Sequence, residues 1–92
     1  MIRRDGARLI LAGAVTLATH VELRDAAAAL LGDDDIVVDW SAVDAVDSSA
    51  LCLILSWRRH ATAAGRQVEQ QHLPVGLTAL AELYGVKELL GA

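Results

Sequence analysis

Apolar and polar positions along this chain follow two periods, and the switches between them mark out seven elements. Residues 1–4 and 8–12 are short β-type runs separated by Asp5-Gly6. That pair suits a tight type I′ turn, so the chain is expected to open as a hairpin, with Gly13 as the breaker that ends it. Between residues 17 and 31, Val21, Leu23, Ala27, Leu30 and Leu31 recur at helical spacing. Thr19 and Glu22 offer that helix a capping box, Gly32 stops it, and Asp33-Asp34-Asp35 reads as a solvated turn. Residues 36–40 (Ile36-Val37-Val38-Asp39-Trp40) are too few for a helix and β-rich, which predicts a buried central strand. After a loop, a second helix is expected over 48–64 and stops at Gly65. Residues 67–72 read as a strand, Leu73-Pro74 as a breaker, 75–84 as a third helix closed by Gly85, and 86–90 as a last turn. The order β-β-α-β-α-β-α predicts an α/β fold: a mixed four-stranded sheet with helices packed against it. Gln70 and His72 would then share a face with Val68, which suggests an edge strand partly open to water.

At 92 residues the chain is expected to be one domain, 1–92. Of these residues 54% are hydrophobic but only 3% aromatic, so aliphatic side chains must fill the core. A net charge of −4 argues against a nucleic-acid partner, and Arg58-Arg59-His60 is too short a basic run to alter that. The one cysteine, Cys52, excludes an internal disulfide and fits a reducing compartment. No apolar run approaches the roughly 18–20 residues that span a bilayer, and the N-terminus lacks a signal-peptide core, so the chain is expected to be cytoplasmic without direct membrane insertion.

Candidate chemistry concentrates at Asp47-Ser48-Ser49, where the second helix begins. A helix start leaves backbone N–H groups unpaired and carries partial positive charge. Capping is the plain role for such residues, but the same position displays a hydroxyl on a rigid surface and tolerates a phosphate. With roughly 100° per residue and Ser49 as the origin, Ser56, His60 and Leu53 share Ser49's side, and Trp57 borders it. Leu51, Ile54 and Leu55 fall opposite and are expected to pack on the sheet. Leu53 should therefore be exposed, giving an outward apolar face suited to a partner. Arg58 should pack its stem inward near the helix end. His20, His60 and His72 make no ligand spacing. Asp39, Asp44 and Asp47 are explained by strand-end and capping roles, so no metal or cofactor is expected. No phosphate loop, nucleophile elbow or metal box occurs, which argues against an enzyme.

Three segments carry a resemblance to the STAS domain family. Gly13-Ala14-Val15-Thr16-Leu17-Ala18 is similar to the family's passage from strand to helix. Ile36-Val37-Val38-Asp39-Trp40-Ser41 resembles its apolar strand ending in Asp-Leu-Ser. Val46-Asp47-Ser48-Ser49-Ala50-Leu51 resembles its Asp-[Ser/Thr] signature, with Ala50 where Gly is usual. The likeness covers essentially the whole chain. The short length and the helix Leu77-Thr78-Ala79-Leu80-Ala81-Glu82-Leu83-Tyr84 resemble the MlaB-like branch, small STAS subunits of bacterial phospholipid-transporting ABC complexes that serve outer-membrane lipid asymmetry. That resemblance implies an adaptor that docks the cytoplasmic ATPase with the help of Ser48, peripheral to the inner membrane through that complex; with the outward face read from helical spacing, the expected partner-binding residues are Asp47, Ser48, Ser49, Leu53, Ser56, Trp57 and His60. The anti-sigma-factor antagonists of the same family imply a different partner, a serine kinase that phosphorylates the residue matching Ser49, with Ser48 the second candidate. The motif keeps both hydroxyls and does not separate the branches. A homodimer of the isolated chain is compatible with either.

Overall fold

A computed structural model describes residues 1–32 and 34–90. The Asp5-Gly6 turn, with Gly6 at φ +60°, folds β1 (Ile2–Asp5) back on β2 (Arg8–Val15) as an antiparallel pair. β2 pairs in parallel with β3 (Ile36–Val46), and β3 in parallel with β4 (Val68–Gln71), so the sheet order is β1-β2-β3-β4. The parallel crossovers are α1 (His20–Leu31) and α2 (Ser49–Ala63); α3 (Val75–Leu83) follows the last strand. The expected mixed four-stranded α/β architecture is present, with β4 at an edge.

Several local expectations are corrected. Gly13 does not end β2. At φ +80° it sits where the register against β3 shifts, so an irregular bulge absorbs it and the strand continues to Val15. β3 likewise runs past Trp40 to Val46, because Ala42, Val43, Ala45 and Val46 find partners along the extended β2. Its second half is largely exposed, and Ser41 and Asp44 hide it from a hydrophobicity pattern. The Thr19–Glu22 capping box is not formed; the Thr19 hydroxyl accepts from the Thr16 N–H (3.0 Å) and donates to the Ala14 carbonyl (3.0 Å) within a 3-10 turn over Leu17–Thr19. Of the acidic turn, Asp33 lies outside the described residues. Asp34 pairs with Arg4 at 2.8 Å, and Asp35 accepts from the Gln67 N–H at 2.9 Å. Arg4 also donates to the Leu30 and Leu31 carbonyls, closing the end of α1 from the first strand. His72 lies beyond β4, in a turn with φ +58°.

One face of the sheet carries the core. Leu9, Leu11, Ile36, Val38 and Trp40 pack with Leu23 and Ala27 of α1, Ala50, Leu53, Ile54 and Trp57 of α2, and Leu77 and Ala81 of α3. The alternate residues of the same strands are polar or half-buried. There Arg8 donates to Asp39 (2.9 Å) and reaches Gln71 (3.3 Å). The Ser41 N–H and then Arg8 bond the Asp39 carboxylate and hold its pKa down to about 2.

The structure also gives Gln70 a role. The buried Trp40 indole N–H donates to Gln70 Oε1 at 2.7 Å, so an amide on the edge strand satisfies the largest core side chain. Gln70→Met should cost about 1–3 kcal/mol by leaving that donor unpaired. Trp40→Phe in the same background should add less than it costs in the native protein, and denaturant melts of the four proteins would measure that coupling. Strict additivity would mean that the bond contributes nothing.

Candidate functional site

β3 ends at Val46 and α2 begins at Ser49, so Asp47 and Ser48 form the whole connection, at the carboxyl ends of the parallel strands. The Asp47 carboxylate accepts from the Leu17 N–H (2.9 Å) through one oxygen and from the Ser49 N–H (2.9 Å) and hydroxyl through the other. Its own N–H donates to the Val15 carbonyl (3.4 Å). One carboxylate thereby caps α2 and clips it to the β2–α1 connection. The Ser49 hydroxyl, and next the Leu17 N–H, keep its pKa below the ordinary carboxylate range.

Capping by Asp47 leaves the two serines in different states. Ser49 is half-buried with its hydroxyl committed to Asp47. Ser48 is exposed, and its hydroxyl makes no hydrogen bond among the described residues. Large aliphatic side chains are exposed on the segments that adjoin this turn. Leu17, whose N–H the turn holds, is 75% exposed, and Val21, one helical turn further on, is 57% exposed. Val75, at the start of α3, is 86% exposed, and its neighbour Gly76 is so close to the end of β3 that a Cβ there would stand 3.6 Å from Val46 Cγ2.

The expected outward face of α2 is corrected. Leu53 is fully buried (0% exposed) and Trp57 is buried as well, its ring 6.1 Å from that of Trp40 between centroids. Ala50, Leu53, Ile54, Trp57 and Ala61 form the inward stripe, while Ser48, Cys52, Ser56 and Arg59 are exposed and Leu55 is half-buried. Taking Ser49 as the centre of the polar face rotated the helix by roughly a quarter turn. Trp57, the bulkiest apolar residue, marks the true inner face, and an i, i+3, i+4, i+7, i+11 stripe from Ala50 runs through it. Of the remaining candidates, Ser56 is exposed two turns from Ser48. His60 lies 12 residues from it, roughly 18 Å along the helix. There its Nε2 stands 2.8 Å from the Gly32 carbonyl. Leu17 and Val75 were missed because a helix's first residues lie on its end, where periodicity along the sides says nothing; Val21, counted in the apolar stripe of α1, is instead exposed. The one available signal was a large aliphatic residue at the start of the first and third helical segments.

Among the described residues, no three His, Cys, Asp or Glu side chains gather in a way that would hold a metal ion. The arrangement offers a capped turn with one free hydroxyl, beside segments that expose Leu17, Val21 and Val75. That suits binding; the low pKa and filled oxygens of Asp47 make it a poor general base.

A family model described as "Mlab, STAS domain" matches residues 1–91. No curated protein matches the chain. Among solved structures, the chain is similar to the one described as "Crystal Structure Analysis of Mglu", at 24% identity and a TM-score of 0.61, over 82% of this chain. It spans only 20% of that protein. It is also similar to the anti-sigma factor antagonist SpoIIAA in its unphosphorylated form, at 14% identity and a TM-score of 0.65, over 90% of this chain and 81% of that one. At these identities both likenesses bear on the fold alone.

Proposed function

The chain belongs to the MlaB-type STAS domain family, and we propose that it is a non-enzymatic adaptor that binds the cytoplasmic ATPase of a bacterial phospholipid-transporting ABC system. The observation that carries this reading is an apolar rim of exposed Leu17, Val21 and Val75 on the segments adjoining the turn that bears the free hydroxyl of Ser48, with Leu17 held to that turn by Asp47. Burying such a side chain against a partner is worth about 1.5–3 kcal/mol, so three together supply the core of an interface. Asp47 pre-orders the rim by tying Leu17 to the start of α2, which lowers the entropic cost of docking. Exposed Ser56, Cys52 and the half-buried Leu55 continue the surface along α2. No helix among the described residues is long and apolar enough to cross a membrane, so association with the inner membrane would come through the partner.

The test is co-purification with the ATPase subunit. Val75→Asp and Ser48→Arg should fold as the native protein does, since neither side chain is buried or bonded, and each should weaken the complex by about tenfold or more. Full retention of binding by both variants would sink the docking role.

A switch reading draws on one specific contact. A phosphate on Ser49 adds about −1.5 to −2 charge against the carboxylate its hydroxyl now bonds. It would open the Asp47 clip and release Leu17. In that reading the partner is a serine kinase of the anti-sigma-factor type, and intact-mass spectrometry of protein from its native host should find a single phosphate that Ser49→Ala removes.

A further inference from the structure

We propose that the groove between the C-terminal half of α2 and the start of β4 binds a small phosphate-bearing anion through Arg58 and Arg66. The chain carries a net charge of −4, and half of its eight lysines and arginines are neutralised locally. Arg4, Arg8, Arg24 and Lys87 each lie within 3.3 Å of a carboxylate oxygen. Among the described residues, Arg58, Arg59 and Arg66 have no such partner, and unlike Arg3, which stands alone on β1, they gather at one end of the molecule. Arg58 and Arg66 line a concavity of about 430 Å³ with Thr62, Gln67 and Glu69. That volume lies within the range of small-molecule sites, roughly 300–1,000 Å³. Arg59 lines an adjoining depression that shares Arg58 and Thr62.

Cations near a helix C-terminus are commonly explained by the helix dipole. Here the last turn of α2 is already closed by the backbone: the Gly65 N–H donates to the Thr62 carbonyl (3.1 Å) and the Arg66 N–H to the Ala61 carbonyl (2.8 Å). The guanidiniums are not needed for that closure. Arg58 spends one N–H on the Glu88 carbonyl (2.9 Å), which fixes its head and leaves four donors. Two planar guanidiniums, one on α2 and one on its connection to β4, with a hydroxyl and an amide, present more donors than a carboxylate can accept and match the several oxygens of a phosphate. Glu69 opposes the anion, but as one carboxylate against two arginines. A soluble ligand fits better than an anionic membrane surface, because the site is concave and the molecule's net charge repels such a surface within the Debye length of about 8 Å.

This site lies at the opposite end of α2 from Ser48, so it stands or falls independently of the docking surface. Titration of the ¹⁵N-labelled protein with inorganic phosphate and pyrophosphate, followed by amide shifts, tests it. Saturable shifts confined to residues 58–69 are expected, with tighter binding of pyrophosphate. Arg66→Gln should weaken binding about tenfold, the scale of one charge-assisted hydrogen bond, while Arg3→Gln leaves it unchanged. Shifts that never saturate, or equal binding by Arg66→Gln, would overturn the proposal. So would association with phosphatidylglycerol vesicles in the absence of any response to either soluble anion.

Discussion

Leu53→Asp is expected to leave no folded protein at neutral pH. Leu53 is fully buried between the sheet and α2's neighbours, within the cluster that includes Trp40, Ile54 and Trp57. Truncating a core leucine costs about 2–5 kcal/mol through lost transfer energy and the cavity left behind. A carboxylate in the same dry space must either desolvate or take up a proton, which costs several kcal/mol more. Chains of this size hold roughly 5–14 kcal/mol in total, so the substitution consumes most or all of it. Ser56→Asp, one helical turn away on the solvent side, should leave the melt within about 0.5 kcal/mol of native. Circular dichroism melts and soluble yield of the two variants decide the point. A cooperative native-like melt for Leu53→Asp would mean that α2 is rotated from the orientation described.

Asp47→Ala should produce the second largest effect, and through a different cause. It removes no core volume. It deletes the acceptor for the Leu17 N–H, the Ser49 N–H and the Ser49 hydroxyl, so α2 loses its cap and the β2–α1 connection loses its anchor. Hydrogen bonds to a charged group contribute about 1.5–3 kcal/mol each and overlap here, so a loss near 3 kcal/mol is expected. For a fold of this size that is a fall in Tm of about 12–24 °C. Partner binding should fall too, because Leu17 is held by the same carboxylate. The acid limb gives an independent check. Both Asp47 and Asp39 have folded-state pKa values below the ordinary 3.8, so their stabilisation is complete above that value. It is lost as pH falls toward about 2, the folded-state value of Asp39. The native protein should therefore lose stability steadily below about pH 4, and Asp47→Ala less steeply.

The element order was legible because strand, helix and turn each have a local signature here: Asp5-Gly6, the β-branched run at Ile36, and the glycines after each helix. What periodicity could not supply was phase. In α2 almost every residue from Ala50 to Leu55 is apolar, so the stripe has no polar edge to count from, and the serines at the helix start were a poor origin. Only the packing of Trp57 beside Trp40 defines which side faces in. The second half of β3 was invisible for a related reason. Its backbone is held by β2 while most of its side chains face water and only Val43 and Val46 turn partly to the core, so little in its hydrophobicity marks it as a strand. The Asp47 motif itself was legible as a helix start, but the division of labour was not: the aspartate caps, and the first serine is left free.

The tilted indole pair has an optical consequence. Trp40 and Trp57 are the only tryptophans, both are buried, and their rings are inclined at 51°. Two chromophores so near and skewed should exchange excitation and give the intact molecule an exciton couplet in circular dichroism, and their burial should keep the emission at short wavelength. Trp40 donates to Gln70, whereas the Trp57 indole N–H has no acceptor among the described residues, so the two emitters sit in unlike surroundings. Neither lies at Ser48, whereas Trp57 lines a small cavity with Arg66 and Gln67 beside the arginine groove. Ligation at the Ser48 surface should leave this signal unchanged, while any opening of the interior should extinguish the exciton couplet and redden the emission. The chain thus carries its own unlabelled gauge for telling a variant that has lost a contact from one that has lost its shape.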